Sequence, residues 1–295
     1  MIVDFHVHST ASDGTLDPQD VAYRAKAFAA VALTDHDNTD GLAEFAEAGA
    51  ELVESGRSDA SFVTGLELSI EPGYGFDQFH LLALGIDPEN AELKKLLGRV
   101  LAGRNERNKR IIAAFSRLGI EMDMDGLAAC AHGEILARPH FARWLVERGY
   151  EKDISSAFAR YLLPDSPAAT RCYEERFHPP QEDVFRAVHS AGGLCIMAHP
   201  KYWRREWKRS GCDFAAAERE ISRLKEAGLD GLEALYQANT PEENERFTRI
   251  AMKASLLTTA GSDFHGSNKP NIELGMEVDE MFVAPLFERL KIGVK

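Results

Sequence analysis

The chain has 295 residues, 44% of them apolar and 27% charged, with a formal net charge of -13, a balance that suits a soluble globular protein able to bury a sizeable core without disulfides. The acidic excess argues against indiscriminate binding to nucleic acid or anionic membrane, which uses broad basic surfaces, but it leaves an anionic substrate open because bound cations reverse the sign locally. Cys130, Cys172, Cys195 and Cys212 are scattered with no CxxC pair, and they read as reduced thiols of a cytoplasmic protein rather than a disulfide frame.

Met1 runs straight into a strand-like segment with no basic and apolar leader, and no run approaches 18 apolar residues; neither a signal peptide nor a membrane span is expected. Ile2–Phe5 predicts a first strand. Asp17 as N-cap and Pro18 in the first turn open a helix with Val21, Ala25 and Phe28 on one face. Val31–Leu33, Phe62–Leu68 and His80–Leu84 predict the next three strands. From about Pro88 to Thr170 the pattern turns almost wholly helical. Leu93, Leu96, Leu97, Val100 and Leu101 form one amphipathic stripe, Ile111, Ile112, Phe115 and Leu118 another, and a further helix starts at Pro139 and runs through Val146. Alternation resumes near Pro179: helix Val184–Ala191, strand Leu194–Ala198, helix Ala215–Ala227, strand Leu232–Ala234, helix Glu242–Ala254, strand Leu256–Ala260. Strands alternating with helices predict an α/β, barrel-like core. The interrupting segment is too long for an unstructured loop and predicts a helical insertion.

Metal-binding residue types gather where the predicted strands end. His6-Val7-His8 follows the first strand; in extended chain, residues two apart point to one side, roughly 6–7 Å apart at Cα, so two imidazoles can converge on one ion. Asp13 lies in the Ser12-Asp13-Gly14 turn, where an Asp before Gly also serves the turn alone. Asp35-His36-Asp37 leaves the second strand, and a His between two carboxylates is hard to explain as packing. Glu67, between Leu66 and Leu68, must be paired, ligating or exposed. His80 opens the fourth strand, an awkward place, and alone such a histidine is more often structural than a ligand. His199 follows the strand after the insertion, in Ala198-His199-Pro200. Asp263 and His265 follow the last one, in Gly261-Ser262-Asp263-Phe264-His265. Six of the ten histidines thus lie at or beside strand ends, where βα barrels collect functional groups above a rigid core.

Taken together, His6-Val7-His8-Ser9, Ser12-Asp13-Gly14, Thr34-Asp35-His36-Asp37, Gly65-Leu66-Glu67, Ala198-His199-Pro200 and Ser262-Asp263-Phe264-His265 resemble the motifs of the PHP (polymerase and histidinol phosphatase) superfamily of metal-dependent phosphoesterases. The Ser-Asp-Gly string and the helical insertion are similar to the subgroup that includes nucleoside 3′,5′-bisphosphate phosphatases and a 5′-to-3′ exoribonuclease. The resemblance implies a distorted (βα)7 TIM-like barrel formed by residues 1–87 and 171–295, with residues 88–170 as a helical insertion that selects substrate. It also implies three divalent ions. His6, His8, Glu67 and Asp263 would hold the first, Glu67 would bridge to a second held by His80 and His199, and Asp13, His36 and His265 would hold the third. The mixed donor set suits Mn²⁺, Fe²⁺ or Zn²⁺, and hard Mg²⁺ less well; Mn²⁺ is the expected ion. Asp35 and Asp37 are expected to orient imidazoles.

Phosphate-ester hydrolysis needs a nucleophile at neutral pH. Ions lower the pKa of bound water to roughly 7–9, so the expected nucleophile is a hydroxide bridging two ions; His199 and His265 are the candidates for protonating the leaving group. Ala137-Arg138-Pro139-His140-Phe141-Ala142-Arg143 resembles a segment of the same subgroup and makes Arg138, His140 and Arg143 the candidate substrate contacts. Arg138, just before the helix, is placed to grip a second phosphate with its fork, although an ordinary surface arginine reads the same way. One departure stands out: where the subgroup shows Gly-Lys-Pro, this chain has Asp165-Ser166-Pro167, with Arg171 or Lys201 as compensating cations. Tyr202-Trp203-Arg204-Arg205 stacks a base or caps a phosphate, or merely closes a loop. The expected activity is hydrolysis of a phosphate monoester on a small nucleotide, with no membrane and no stable protein partner. Competing readings are 5′-end-directed exonuclease action on short RNA, histidinol-phosphate phosphatase (disfavoured by the Ser-Asp-Gly string and the insertion) and a non-catalytic metal-bound scaffold, against which the complete ligand set speaks.

Overall fold

The computed structural model describes residues 1–73, 75–130 and 136–293, with every side chain among them except that of Lys208. Seven main strands line the core: β1 (Ile2–Val7), β2 (Ala30–Leu33), β3 (Ser61–Ile70), β4 (Phe79–Leu84), β5 (Leu194–Met197), β6 (Gly231–Tyr236) and β7 (Leu257–Gly261). A two-residue β8 (Met276–Glu277) adds to the free side of β1, giving the order β7-β6-β5-β4-β3-β2-β1-β8. The sheet curls until its ends meet. His8 N–H donates to Phe264 O and Asp263 N–H to His6 O, both at 2.9 Å, so the exits of β1 and β7 touch. Asp4 fastens this seam: its carboxylate accepts the Ser262 N–H at 3.0 Å, the Ser262 hydroxyl at 2.6 Å and the Gly275 N–H at 2.9 Å. The result is the nearly closed, TIM-like α/β barrel that the sequence predicts.

Two irregularities decide where side chains point. β4 runs antiparallel to both β3 and β5, so its first residues lie beside the last residues of its neighbours. That is why His80, awkward as a strand opener, shares an end of the barrel with the other strand-end histidines. In β1 the register slips between Asp4 and Val7, so that Asp4 pairs with Val31 and Val7 with Leu33. One extra residue in a strand reverses the alternation beyond it. Val3 and Phe5 therefore join the apolar cluster inside the barrel, whereas Val7 joins the outer layer, and His6 and His8 turn inward.

The barrel floor is apolar and plugged. Phe5, Leu82, Ile196 and Ala260 meet Val283, Leu286 and Phe287 of the last helix, α11 (Glu280–Leu290), with the Phe5 and Phe287 rings edge to face at 6.0 Å. On the outside lie α1 (Pro18–Arg24), α2 (Leu42–Glu54), α7 (Gln181–Ser190), α9 (Phe214–Ala227) and α10 (Pro241–Lys253). Asp17 does not cap α1 through its side chain; it takes the Thr10 hydroxyl at 2.8 Å instead, and Pro18 alone marks the start. Neither α2 nor α11 is expected from the sequence reading, although Leu42, Phe45 and Leu52 form a buried face on α2.

The two predicted stripes beyond Pro88 are one helix, α3 (Ala91–Arg117), capped by Asn90, which accepts the N–H groups of Glu92 and Leu93. Its first half belongs to the barrel layer, through Leu93 and Leu96. Its second half enters a separate core, in which Ile111 and Phe115 pack with Phe141, Leu145 and Tyr161. The smaller elements α4 (Met124–Ala128), α5 (Arg138–Glu147), α6 (Ile154–Ala157) and a π-helical turn (Phe158–Leu162) complete this region, and α8 (Trp207–Ser210) follows β5. Residues 131–135 of the expected insertion lie outside the described residues. Among the described residues, no helix is long and apolar enough to cross a membrane.

Candidate metal centre

Glu67, on the inner face of β3, is the hub. Its Oε1 lies 2.9 Å from His80 Nδ1 and 3.0 Å from His199 Nε2. Its Oε2 lies 3.3 Å from the Nε2 atoms of both His6 and His8 and 3.0 Å from His36 Nδ1. Asp263 Oδ1 approaches His8 Nε2 at 3.4 Å and His265 Nδ1 at 3.4 Å, and Asp13 Oδ1 approaches His265 Nε2 at 3.3 Å. All nine side chains expected around the ions therefore meet at one end of the barrel. Three groups bring one donor atom from each member within 4.8 Å of the others: His8, Asp13, His36 and His265; His6, His8 and Glu67; and Glu67, His80 and His199.

These groups fit divalent cations on chemical grounds. His6 Nε2, both ring nitrogens of His8, His36 Nδ1, Glu67 Oε2 and His199 Nδ1 are buried with no hydrogen-bond partner. Leaving one such atom unpaired typically costs about 1–3 kcal/mol, so six in one place mark a cluster shaped for something other than its own hydrogen bonds. At His6, His8 and Glu67 burial opposes charge, and the neighbours offset it. The carboxylates of Glu233, Glu67 and Asp263 hold His6 well above the usual imidazole range, and Asp263 and Glu67 raise His8 to about 9. His6, His36 and His80 in turn hold Glu67 well below the usual carboxylate range. Burial prevails at His80, which falls to about 4. Carboxylates here carry the negative charge that cations would share, and ligation would release the imidazole protons.

The surroundings fix this geometry. Glu233, unflagged in the sequence reading, is fully buried on β6 and accepts from His6 Nδ1 at 2.9 Å and from the His199 N–H at 2.6 Å. It turns His6 Nε2 toward Glu67 and Asp263. Its only sequence signal is a lone acid inside the short strand Leu232–Ala234. Gly261 makes room: a Cβ there would stand 2.2 Å from Glu233 Oε1 and 2.5 Å from His6 Cβ. Tyr236 donates its hydroxyl to Asp263 Oδ2 at 2.9 Å, and Lys269 reaches the same oxygen at 2.6 Å. Asp37, His199 and Asp263 all adopt positive φ, at 54°, 26° and 60°, a strained backbone of the kind that clusters at functional sites.

Asp35 and Asp37 do not orient imidazoles. Asp35 accepts the Ser9 N–H at 2.8 Å and the hydroxyls of Ser9 and Ser12 at 2.6 Å, shaping the loop that carries Asp13. Asp37 accepts from Arg104 Nε at 2.9 Å, Arg176 at 2.7 Å and the Ser69 N–H at 3.1 Å. It thereby ties an arginine of α3 and one of the return segment to the loop after β2.

Three recesses share His80, one of them lined by Asp13, His36, Arg104, Arg107, Arg138 and Arg176. A second, of about 380 Å³, exposes Glu67, His199 and Asp263 beside Tyr202, Tyr236 and Lys269. The third is lined by Arg107, Arg138, Arg176, Arg205, Tyr173 and His178. Arg107 is 4% exposed and its Nη2 has no partner; burial and the neighbouring arginines lower it to about 8. Arg138, expected just before the helix, is the first residue of α5 and lines this recess, reaching Leu162 O at 3.3 Å and Tyr173's ring at 5.3 Å. His140 and Arg143 do not line these recesses: His140 Nδ1 caps α5 by accepting the Ala137 N–H at 2.9 Å, and Arg143 donates to Cys130 O at 3.1 Å. Sequence reasoning passed over Arg107 and Arg176 because a buried arginine in a polar helix face or a coil looks like a solvated one.

Ser166 is buried in its own turn, donating to Phe158 O at 3.2 Å. Neither expected compensating cation replaces a lysine there, since Arg171 bonds Pro164 O and Lys201 bonds Glu243 and Ala238 O. The Tyr202-Trp203-Arg204-Arg205 cluster divides. Trp203 is fully buried against Phe79 and closes the loop, Arg204 covers Phe76, and only Tyr202 and Arg205 face the recesses. Of the two candidate acids, His265 has both ring nitrogens engaged, Nδ1 with Asp263 O at 2.9 Å and Nε2 with Asp13. His199 turns Nε2 to Glu67 and buries Nδ1.

Comparison with known proteins gives a consistent result. Residues 4–163 match the PHP domain. A 3′,5′-nucleoside bisphosphate phosphatase of Chromobacterium violaceum is 34% identical over 280 residues, covering 94% of this chain and 92% of its own. A 5′-3′ exoribonuclease of Haemophilus influenzae is 33% identical over 292 residues, covering 97% and 98%. Among solved structures, a protein of Bifidobacterium adolescentis classed as a metal-dependent phosphoesterase superposes with a TM-score of 0.79 at 30% identity, covering 97% of this chain and 96% of its own.

Proposed function

This chain belongs to the PHP domain family and is a phosphoric ester hydrolase dependent on divalent metal, and from that premise we propose that it removes a phosphate from a small nucleotide carrying a second phosphate, such as a nucleoside 3′,5′-bisphosphate. The observation that carries the reading is the pairing, across His80, of a carboxylate–imidazole cluster rich in partnerless buried atoms with a recess lined by four arginines. One side suits cations and the phosphate to be cleaved. The other suits a second anion that stays intact.

Three ions, Mn²⁺ foremost, would be held by His6, His8, Glu67 and Asp263; by Glu67, His80 and His199; and by Asp13, His36 and His265. When bound, such ions make an ionised water available near neutral pH and neutralise charge on the phosphoryl oxygens. The chain's own residues do the rest. Glu233 keeps the His6 proton on Nδ1, so Nε2 faces the cluster. Asp37 holds Arg104 and Arg176, while Arg107 and Arg138 present guanidinium N–H groups to the recess. Their planar forks match phosphate oxygens in pairs. Residues 88–170 serve as the substrate-selecting cap, through Arg104, Arg107 and Arg138.

Phosphate release with Mn²⁺ should be measured across 3′,5′-bisphosphates, mononucleotides, histidinol phosphate and 5′-phosphorylated oligoribonucleotides. Bisphosphates are expected to show the highest kcat/KM, and Glu67→Ala is expected to abolish turnover and lower metal content. Equal turnover of mononucleotides would remove the case for a second-anion site. Preference for oligoribonucleotides would favour the exonuclease reading, which the 33% identity to the H. influenzae enzyme supports. Bound metal with no turnover of any substrate would favour a scaffold.

A further inference from the structure

At the opposite end of the barrel, three donors of different kinds converge outside the centre described above. His189 stands in the last turn of α7, Cys195 is the second residue of β5, and Asp230 immediately precedes β6. One donor atom from each lies within 4.8 Å of the other two. His189 Nε2 is 2.7 Å from Asp230 Oδ2, and the same oxygen accepts the Cys195 N–H at 2.9 Å, so the carboxylate is pinned. The Cys195 thiol is free and fully buried. The His189 side chain is 40% exposed and leaves a route in from solvent.

The backbone around this trio favours positive charge. α7 and α9 both end here, and helix C-termini present partly negative carbonyl ends. Gly228, the left-handed cap of α9, abuts the imidazole: a Cβ on it would stand 3.6 Å from His189 Cε1. The cation near Asp230 is Arg289, whose Nη2 is 3.6 Å from Oδ1 and whose side chain is 59% exposed. That distance is too long for a hydrogen bond, so the guanidinium is free to withdraw.

We propose that His189, Cys195 and Asp230 form a second metal site, one for a thiophilic divalent ion such as Zn²⁺ or Cd²⁺. The sulfur, imidazole and carboxylate would take three positions of a four-coordinate ion and leave one to water. On binding, the Cys195 S–H bond breaks, the proton passes to solvent and the sulfur–metal bond forms. Donor softness sets this site apart from the sulfur-free cluster around Glu67, which suits harder ions.

The test uses the full chain with Mn²⁺ in excess, titrated with Cd²⁺ and followed by the ultraviolet charge-transfer absorbance of a cadmium–thiolate bond. The centre around Glu67 has no sulfur and is silent in this readout even if Cd²⁺ displaces Mn²⁺ there. One equivalent of signal is expected in the natural chain, none in Cys195→Ala, and an affinity weakened roughly tenfold or more in His189→Ala. His189 is exposed, so that variant keeps the test open if Cys195→Ala does not fold. The proposal is overturned by absence of a stoichiometric signal, by its survival in Cys195→Ala, which would assign it to Cys130, Cys172 or Cys212, or by unchanged affinity in His189→Ala.

Discussion

Replacing Glu233 with Gln changes almost no volume, yet it should cost the centre most of its affinity for metal. Glu233 receives two N–H groups, from His6 Nδ1 at 2.9 Å and from the His199 backbone at 2.6 Å. A glutamine has one oxygen and one NH₂, so one of those donors must meet a donor. If the oxygen stays on His199, the NH₂ faces His6 and forces the ring to accept at Nδ1. The His6 proton then sits on Nε2, the atom aimed at Glu67 and Asp263, where a cation needs a lone pair. If the amide turns over, the NH₂ meets the His199 N–H in a fully buried place. Either arrangement forfeits one charge-assisted hydrogen bond, about 1.5–3 kcal/mol, which corresponds to roughly 10- to 150-fold in affinity at about 1.4 kcal/mol per decade. Equilibrium dialysis against Mn²⁺, with activity followed as a function of Mn²⁺, measures this directly. A folded Glu233→Gln protein with unaltered Mn²⁺ affinity and stoichiometry would refute the assignment of Glu233 as the residue that sets the His6 tautomer.

Removing the Asp37 carboxylate strands the guanidiniums of Arg104 and Arg176, so Asp37→Ala should destabilise the protein by about 3–5 kcal/mol in urea denaturation; a loss below 1 kcal/mol would mean that water already serves those arginines. Arg138→Ala should raise KM for a substrate with two phosphates by roughly 10- to 100-fold, the equivalent of one bidentate charged contact, and change KM little for a substrate with one phosphate, as steady-state kinetics on the two would reveal. Phe287→Ala opens a void in the barrel floor against Phe5 and should cost about 3–5 kcal/mol, while metal content measured by atomic absorption stays unchanged because the void lies at the far end from Glu67.

The barrel was legible because its signals are periodic: seven short apolar runs, four of them followed by a helical pattern. α2 and α11 escaped because a helix spread between polar stretches gives a weaker signal than a strand does. The inward set of side chains was legible only as residue types. Strict alternation would send His6 outward opposite Phe5, and only the slip between Asp4 and Val7 reconciles the two. His80 could be placed only once β4 was known to run backwards. What the sequence could not disclose was pairing. Asp37 next to His36 suggests support of an imidazole, yet its oxygens face arginines 67 and 139 residues away. Glu233 and Arg107 matter because of what surrounds them, and surroundings assembled from distant segments leave no local pattern.

The seam between β1 and β7 has a bearing on how the protein is born. Asp4 and Ser262 are 258 residues apart, so a chain still emerging from the ribosome carries His6, His8 and Glu67 long before Asp263 and His265 exist. Capture of the ions that would need Asp263 or His265 must then be a late event, following synthesis of β7. An arrested nascent chain stopping short of Gly261 should retain less tightly held Mn²⁺ after gel filtration than the released 295-residue product.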